Sequence, residues 1–201
     1  MKKSCETKEK LLQVGFDLIW DNSYGSVSVD DICKRAGINE GSFYHFFPSK
    51  ADLAVAAYEE HWKEKRPAMD RIFSSQTPPL QRLQNWCQYV YDGQREKAEK
   101  YGHVCGCPYA TVGSEIATLD EKIRAKSEQL MNAGRKYIET AIADAMREGL
   151  VAVNNPVTAA MTLQSLLLGM LVEARVQNDL KVLENLEATV MNILGAKEIA
   201  A

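Results

Sequence analysis

The stretch from Ser28 to Leu53, SVDDICKRAGINEGSFYHFFPSKADL, constrains this chain more tightly than any other. Ser28 can cap a helix whose third position is Asp31, and Val29, Ile32, Cys33 and Ala36 follow at helical spacing. Gly37 ends that helix, because glycine takes the left-handed backbone of a C-terminal cap without strain. Asn39 is placed to cap a second helix, Glu40 to Phe46, and Ser49 with Asp52 is a capping box that opens a third at Lys50. Two short helices about a glycine turn form a helix-turn-helix, whose second helix is the usual reader of the DNA major groove.

The rest of the chain is read around that motif. Its 201 residues suffice for one substantial domain or two small ones, and an apolar share of 46% supports a real core. No strand-like alternation occurs, and the turn signals separate only helical patterns. A first helix is expected over 6–21 and a long one from Lys50 to about Lys65, with Pro67 starting or kinking the next segment. Further helices are expected from Leu80 to about Lys100, Pro108 to Leu119, Asp120 to Gly149, Pro156 to about Asn178 and Leu180 to Leu194. The fold class is therefore all-α, with about nine helices. The charged N-terminus lacks an apolar signal region, and five cysteines, an odd number, suit a reducing cytoplasm better than a disulfide scaffold. The longest uncharged run, Pro156 to Val172, contains Thr158, Thr162, Gln164 and Ser165 and reads as a buried helix, so no membrane partner is expected.

Charge excludes a sequence-blind polyanion binder. The net charge is −3. Within residues 1–50 the basic Lys2, Lys3, Lys8, Lys10, Lys34, Arg35 and Lys50 are balanced by Glu6, Glu9, Asp17, Asp21, Asp30, Asp31 and Glu40. A neutral head suits a reader that relies on a few placed contacts more than on counterion release.

Gly41, Tyr44, Phe47, Lys50 and Leu53 recur at intervals of three after the Ala36-Gly37-Ile38 turn, and Leu11, Leu12, Gly15, Leu18 and Ile19 line one side of an upstream helix. Over roughly residues 7–55 this resembles the N-terminal domain of the tetracycline-repressor (TetR) family of transcriptional regulators. The resemblance implies a three-helix DNA-binding domain over 1–50 and a helical ligand-sensing and dimerisation domain over 51–201. It implies that Ser28 and Tyr44 offer hydroxyls to phosphates and that Lys50 adds a charge there. Glu40, Gly41, Ser42 and His45 fall at the positions that face base edges, where Glu40 can accept from cytosine N4 and Gly41 admits close backbone approach. Phe43, Phe47 and Leu53 are assigned to the core. Two departures stand out: Phe46 replaces the histidine or tyrosine that relatives often carry, and Asp30 would repel a phosphate it faced.

The Pro156 helix is apolar nearly all round, so it must be covered on all sides. One face suits the protomer's own core and another a second subunit. Ala160, Leu163, Leu167 and Leu171, with Leu186, Val190 and Ile193 of the last helix, are expected to form a four-helix homodimer interface, as in TetR relatives. Such a dimer would meet an approximately palindromic double-stranded operator.

His103-Val104-Cys105-Gly106-Cys107-Pro108 places three soft or borderline ligands in a helix break. A thiol at a helix N-terminus has a lowered pKa. A redox or electrophile sensor, a soft-metal site, part of an organic-ligand pocket, and cysteines that simply pack as small apolar residues are all open readings. No fourth ligand at zinc spacing exists, so no metal or other cofactor is assigned. Trp86, His103, Cys105, Cys107, Tyr109 and Met131 are the expected surroundings of a small-molecule effector. Beyond His103 no histidine–acid constellation accompanies the thiols, and neither a phosphate loop nor a zinc-protease signature is present, so no catalytic residue is assigned and an enzyme is not expected. The leading expectation is a repressor released from its operator by an effector; a thiol- or metal-sensing regulator is the alternative.

Overall fold

The computed structural model describes residues 2–197. Among them are nine α-helices, one 3₁₀ turn and no strand. The helices are α1 (Lys2–Asp21), α2 (Val29–Ala36), α3 (Glu40–Phe46), α4 (Lys50–Ile72), α5 (Pro79–Tyr101), α6 (Pro108–Ile116), α7 (Glu121–Arg147), α8 (Pro156–Gln177) and α9 (Leu186–Leu194). They divide into two compact units, residues 1–65 with 108–131 and residues 66–107 with 132–201, the division falling within α4 and α7.

The first unit is built on α1 to α4. Leu11, Ile19, Ile32, Phe43 and Leu53 are completely or almost completely buried in it. Gly15 permits the packing of α1 on α4, since a Cβ there would stand 2.3 Å from a Leu53 methyl group. The unit extends past residue 50 because Ala54, Ala57 and Tyr58 of α4 and Val112, Ile123 and Leu130 of α6 and α7 are buried in it as well. Tyr58 donates its hydroxyl to the Pro108 carbonyl at 3.1 Å.

The second unit has two apolar clusters. Leu83 and Trp86 of α5, Ile138 and Ile142 of α7, Ala160 and Leu163 of α8, and Leu186, Val190 and Leu194 of α9 form the larger. Val104, Leu171, Ala174 and Leu183 centre the smaller, with Cys107 packed against them. Arg82 is buried, but each of its bonds is directed: to Asp144 at 2.5 Å and to the Thr77 and Ser75 carbonyls.

Several boundaries depart from the sequence expectations. Pro67 neither starts nor divides a helix, because α4 continues through it to Ile72. Pro67 and Lys63 both lie exposed, so the Lys63 carbonyl that loses its helical partner is on the solvent side. The last helix is two pieces. Asp179 accepts from the Lys181 amide at 2.9 Å and draws Leu180–Leu183 into a 3₁₀ turn, and α9 starts only at Leu186. α6 ends at Ile116 rather than Leu119, and α1 starts before residue 6.

The expected dimer face also needs correction. Ala160, Leu163, Leu171, Leu186 and Val190 are buried by the protomer's own side chains, and Leu167 is packed against both clusters. Only Ile193 of the expected set is exposed. The outward side of α8 carries instead Val157, Met161, Val172 and Val176, the last two 58% and 81% exposed. This helix is long and apolar enough to cross a membrane by length and composition, and, against expectation, it is not covered on all sides: one side packs on the neighbouring helices and most of its apolar stretch is not buried. Helical spacing showed that α8 had two apolar sides, but not which one the neighbouring helices would cover.

Leu163→Ala is expected to cost about 2–5 kcal/mol, read as a lower urea midpoint than the parent's at equal protein concentration. A loss under about 1 kcal/mol would contradict its place in the core.

Candidate nucleic-acid interface

Short-range capping sets the geometry of the helix-turn-helix. Ser28 Oγ accepts from the Asp31 amide at 3.1 Å, and Asp31 accepts from the Ser28 amide at 2.9 Å, closing a reciprocal box. The Ser28 hydroxyl also lies 2.5 Å from the same carboxylate, so its proton is directed to Asp31, and these bonds hold the Asp31 pKa below the usual range. Gly37 ends α2 at φ 66°. Asn39 then caps α3 by accepting from the Ser42 amide at 2.8 Å.

The seven residues of α3 have two distinct sides. Phe43 is fully buried, and Phe47 just beyond the helix is nearly so. Glu40, Gly41, Tyr44 and His45 are exposed, and Ser42 is half-buried. Tyr44 is 52% exposed, its ring edge-on to Phe43 at 5.3 Å. Phe46 is half-buried against His45. Asp30 is paired with Lys34 at 2.5 Å, so the carboxylate that seemed a phosphate repellent carries its own counter-charge.

Lys50 departs from its expected role. Its ammonium donates to the Tyr24 and Val27 carbonyls, both at 2.7 Å, and stands 4.0 Å from the centre of the Tyr24 ring. Burial lowers its pKa. Two of its three donors are thus directed at the loop between α1 and α2 rather than offered outward.

Sequence reasoning missed the buttress supplied by α6 and α7. Glu115 of α6 accepts from the Tyr24 and Gly25 amides at 3.0 and 2.7 Å. Lys122 and Lys126 of α7 reach Asp52 and Glu59 of α4 at 2.6 and 2.8 Å and lower the pKa of both carboxylates. Burial first, then Asp120, Asp52 and Glu115, pushes the Tyr24 phenol up to about 12. These partners lie far apart in the chain, and nothing in the local pattern marks them.

In the second unit the thiol-bearing break is pinned by side chains. Gln94 exchanges both of its hydrogen bonds with the Gly106 amide and carbonyl, at 3.0 and 3.2 Å. Asn178 accepts from the Val104 amide at 2.9 Å, and Arg175 donates to the Cys105 carbonyl at 2.8 Å. Gly106 has φ 74°, a conformation suited to glycine. Cys105 is completely buried and Cys107 half-buried. Among the described residues no group of His, Cys, Asp and Glu could hold a metal ion.

The six expected effector contacts are not gathered within either unit. Trp86 belongs to the larger cluster and Cys107 to the smaller, while Tyr109 and Met131 belong to the first unit, where the Tyr109 ring packs edge-on against Tyr58 at 5.3 Å. A cavity of about 220 Å³ lies elsewhere, between Cys87, Gln88 and Tyr91 of α5 and Leu183, Glu184, Leu186 and Glu187. Burial, with the Glu187 charge beside it, pushes the Cys87 thiol up to about 12.

A capped helix-turn-helix with an exposed polar reading side, followed by helices with an independent core, defines a DNA-binding transcriptional regulator. The comparisons agree. Residues 11–57 match the model of bacterial regulatory proteins of the tetR family, and 79–190 match the tetracyclin repressor-like C-terminal domain. An uncharacterized HTH-type transcriptional regulator in the lacX 3′ region of Lactococcus lactis is 31% identical over 180 residues, covering 89% of this chain and 88% of its own. The transcriptional repressor NemR of Escherichia coli is 24% identical over 96% of each chain. In fold, the crystal structure of reduced E. coli NemR superposes with a TM-score of 0.79 at 23% identity, over 96% of this chain and all of that one. A TetR-family regulator from Agrobacterium tumefaciens gives 0.84 at 21% identity, over 95% and 98%. The chain belongs to the tetR family of bacterial transcriptional regulators.

The lowered carboxylates give the first unit an acid dependence of definite sign. A carboxylate whose native pKa lies below its unfolded value stabilises fully above the unfolded value, about 4, and loses that contribution as pH falls through the native one. Melting temperature is therefore expected to fall below about pH 4. Asp52→Asn should melt below the parent at pH 7, with the difference shrinking at pH 3; a constant difference would deny the ionic contribution.

Proposed function

We propose that this regulator is a homodimeric repressor of a palindromic operator, released when its helical C-terminal part, taken as 51–201, responds to a small-molecule effector. The DNA-reading part is taken as 1–50. Glu40, Gly41, Ser42 and His45 face base edges, and Tyr44 donates to a phosphate. Ser28 reaches phosphate only by exchanging its Asp31 partner, and Lys50 acts through the loop it holds. The carrying observation is the two-sided α3, with Phe43 fully buried and Tyr44 half exposed on a polar face. A regulator of this kind works in the cytoplasm, where its DNA is, and needs no catalytic residue.

The dimer face is taken to be the bare side of α8, Val157, Met161, Val172 and Val176, continued by Ile193 of α9. Apolar side chains at that spacing and exposure are what a two-fold contact between identical helices would cover. A thiol-responsive form of the same switch is favoured by one feature: half-buried Cys107 sits immediately before α6, beside a backbone held by the Arg175 cation.

Duplexes selected by the protein from a random-sequence pool test the reading. A palindrome is expected, and Tyr44→Phe should weaken its binding about tenfold. Val172→Arg should turn the dimer into a monomer by light scattering. Failure to enrich any sequence, or an unchanged dimer, would sink the corresponding part. Release by a mild thiol oxidant that is lost in Cys107→Ser would favour the thiol-responsive form.

A further inference from the structure

The loop from Asn22 to Val27 leads directly into Ser28 and the start of α2; its own bonds are local, from the Asn22 amide to the Leu18 carbonyl at 3.1 Å and from the Ser26 amide to the Ser23 hydroxyl at 3.2 Å. Glu115 and Lys50 grip it in complementary ways. The Glu115 carboxylate takes the Tyr24 and Gly25 amides, at 3.0 and 2.7 Å. The Lys50 ammonium takes the Tyr24 and Val27 carbonyls, both at 2.7 Å. Gly25 is shaped for this contact, since a Cβ there would stand 2.9 Å from Glu115 Oε1. The two gripping residues come from α6 and α4, and neither belongs to the helices that read DNA.

We propose that Glu115 is a positioning residue for DNA binding, whose carboxylate fixes the α1–α2 loop and so sets the N-terminus of α2 in register for phosphate. A carboxylate that accepts two backbone N–H groups makes charge-assisted bonds, the stronger class of hydrogen bond, and holds the loop as a wedge would. The role has a distinctive sign. A negative charge near DNA, considered alone, weakens binding, so its simple removal should strengthen the complex. Positioning requires the reverse: removing Glu115 weakens the complex although the protein has become less acidic. The inference rests on the operator-reading proposal above.

Two mild variants test it. Glu115→Gln keeps the shape and one acceptor but loses the charge. Gly25→Ala meets only the far end of the flexible Glu115 side chain, so it pushes the carboxylate aside without a cost to the backbone. Amide exchange followed by NMR reads the grip without DNA, and the Tyr24 and Gly25 amides should exchange at least about tenfold faster in both variants. Affinity for the selected duplex should fall about tenfold in both. The slope of affinity against salt should stay within the roughly 0.9 per phosphate that one lost contact would remove, because no phosphate contact is deleted. Glu121→Gln, a carboxylate paired with Arg124 on α7, is the control and should leave binding unchanged. Unaltered exchange at Tyr24 and Gly25, or affinity equal to or above the parent in both variants, would overturn the proposal. If no duplex is selected at all, the operator reading fails, while the exchange data still decide whether Glu115 grips the loop.

Discussion

A helix of seven residues does not persist in water by itself, because nucleation costs more than so few hydrogen bonds return. The reading helix α3 is that short, and it exists because Phe43 is fully buried and Phe47 nearly so in a core made by α1, α2 and α4. Every other property of the DNA-binding head depends on this anchoring. The same burial that holds α3 leaves Glu40, Gly41, Tyr44 and His45 on its outer side, so stability and recognition are divided between two sides of two helical turns. The Asn39 cap and the Gly37 turn fix where that helix starts and how it leaves α2, and the buried ring fixes its rotation.

This division explains what the amino-acid sequence revealed. Caps act over three residues, and an apolar side repeats over three or four, so Ser28–Asp31, Asn39–Ser42 and Ser49–Asp52 were all legible before any fold was known. The partners of Lys50 lie 23 and 26 residues earlier, and those of Glu115 lie 90 and 91 residues earlier. No local pattern encodes such pairs. Lys50 therefore read as a surface cation at a helix start, and nothing in the sequence singled out Glu115. α8 failed for a related reason. Its apolar residues were plain, but the face that meets α5, α7 and α9 is decided by where those helices pass, and all but Leu167 and Ile193 of the expected interface residues are buried in the protomer. Pro67 misled in the opposite direction: a rule about helix interiors was applied to a position whose lost hydrogen bond falls on the exposed side.

The thiol-bearing break shows what backbone satisfaction does to a reactive-looking motif. Three residues of irregular chain, Val104 to Gly106, cannot be buried unless their amides and carbonyls find partners. Gln94, Asn178 and Arg175 supply them for Val104, Cys105 and Gly106. The result is a pinned segment with Val104 as an apolar plug and Cys105 fully enclosed. Enclosure separates the two cysteines: reaching Cys105 requires breaking that set of bonds, whereas Cys107 keeps part of its surface. Any chemistry at the break thus starts at Cys107 or proceeds by unpinning the segment.

The first fifty residues carry as many acids as bases. In the folded unit two of their seven acids are committed locally. Asp31 serves the Ser28 cap and Asp30 pairs with Lys34. Farther along the chain, Asp52 and Glu59 pair with α7 lysines, and Glu115 holds loop amides. A carboxylate committed to an amide or an ammonium a few ångströms away forms a local dipole, whose field falls off faster than that of a lone charge and is screened further by salt. Net charge therefore overstates the repulsion that a phosphate would meet. A neutral head gains little from counterion release, which favours the proposed reading through a few hydroxyls and amides held in place. That places the demand on the caps, which are local, and on the α1–α2 loop, which Glu115 and Lys50 hold from far along the chain.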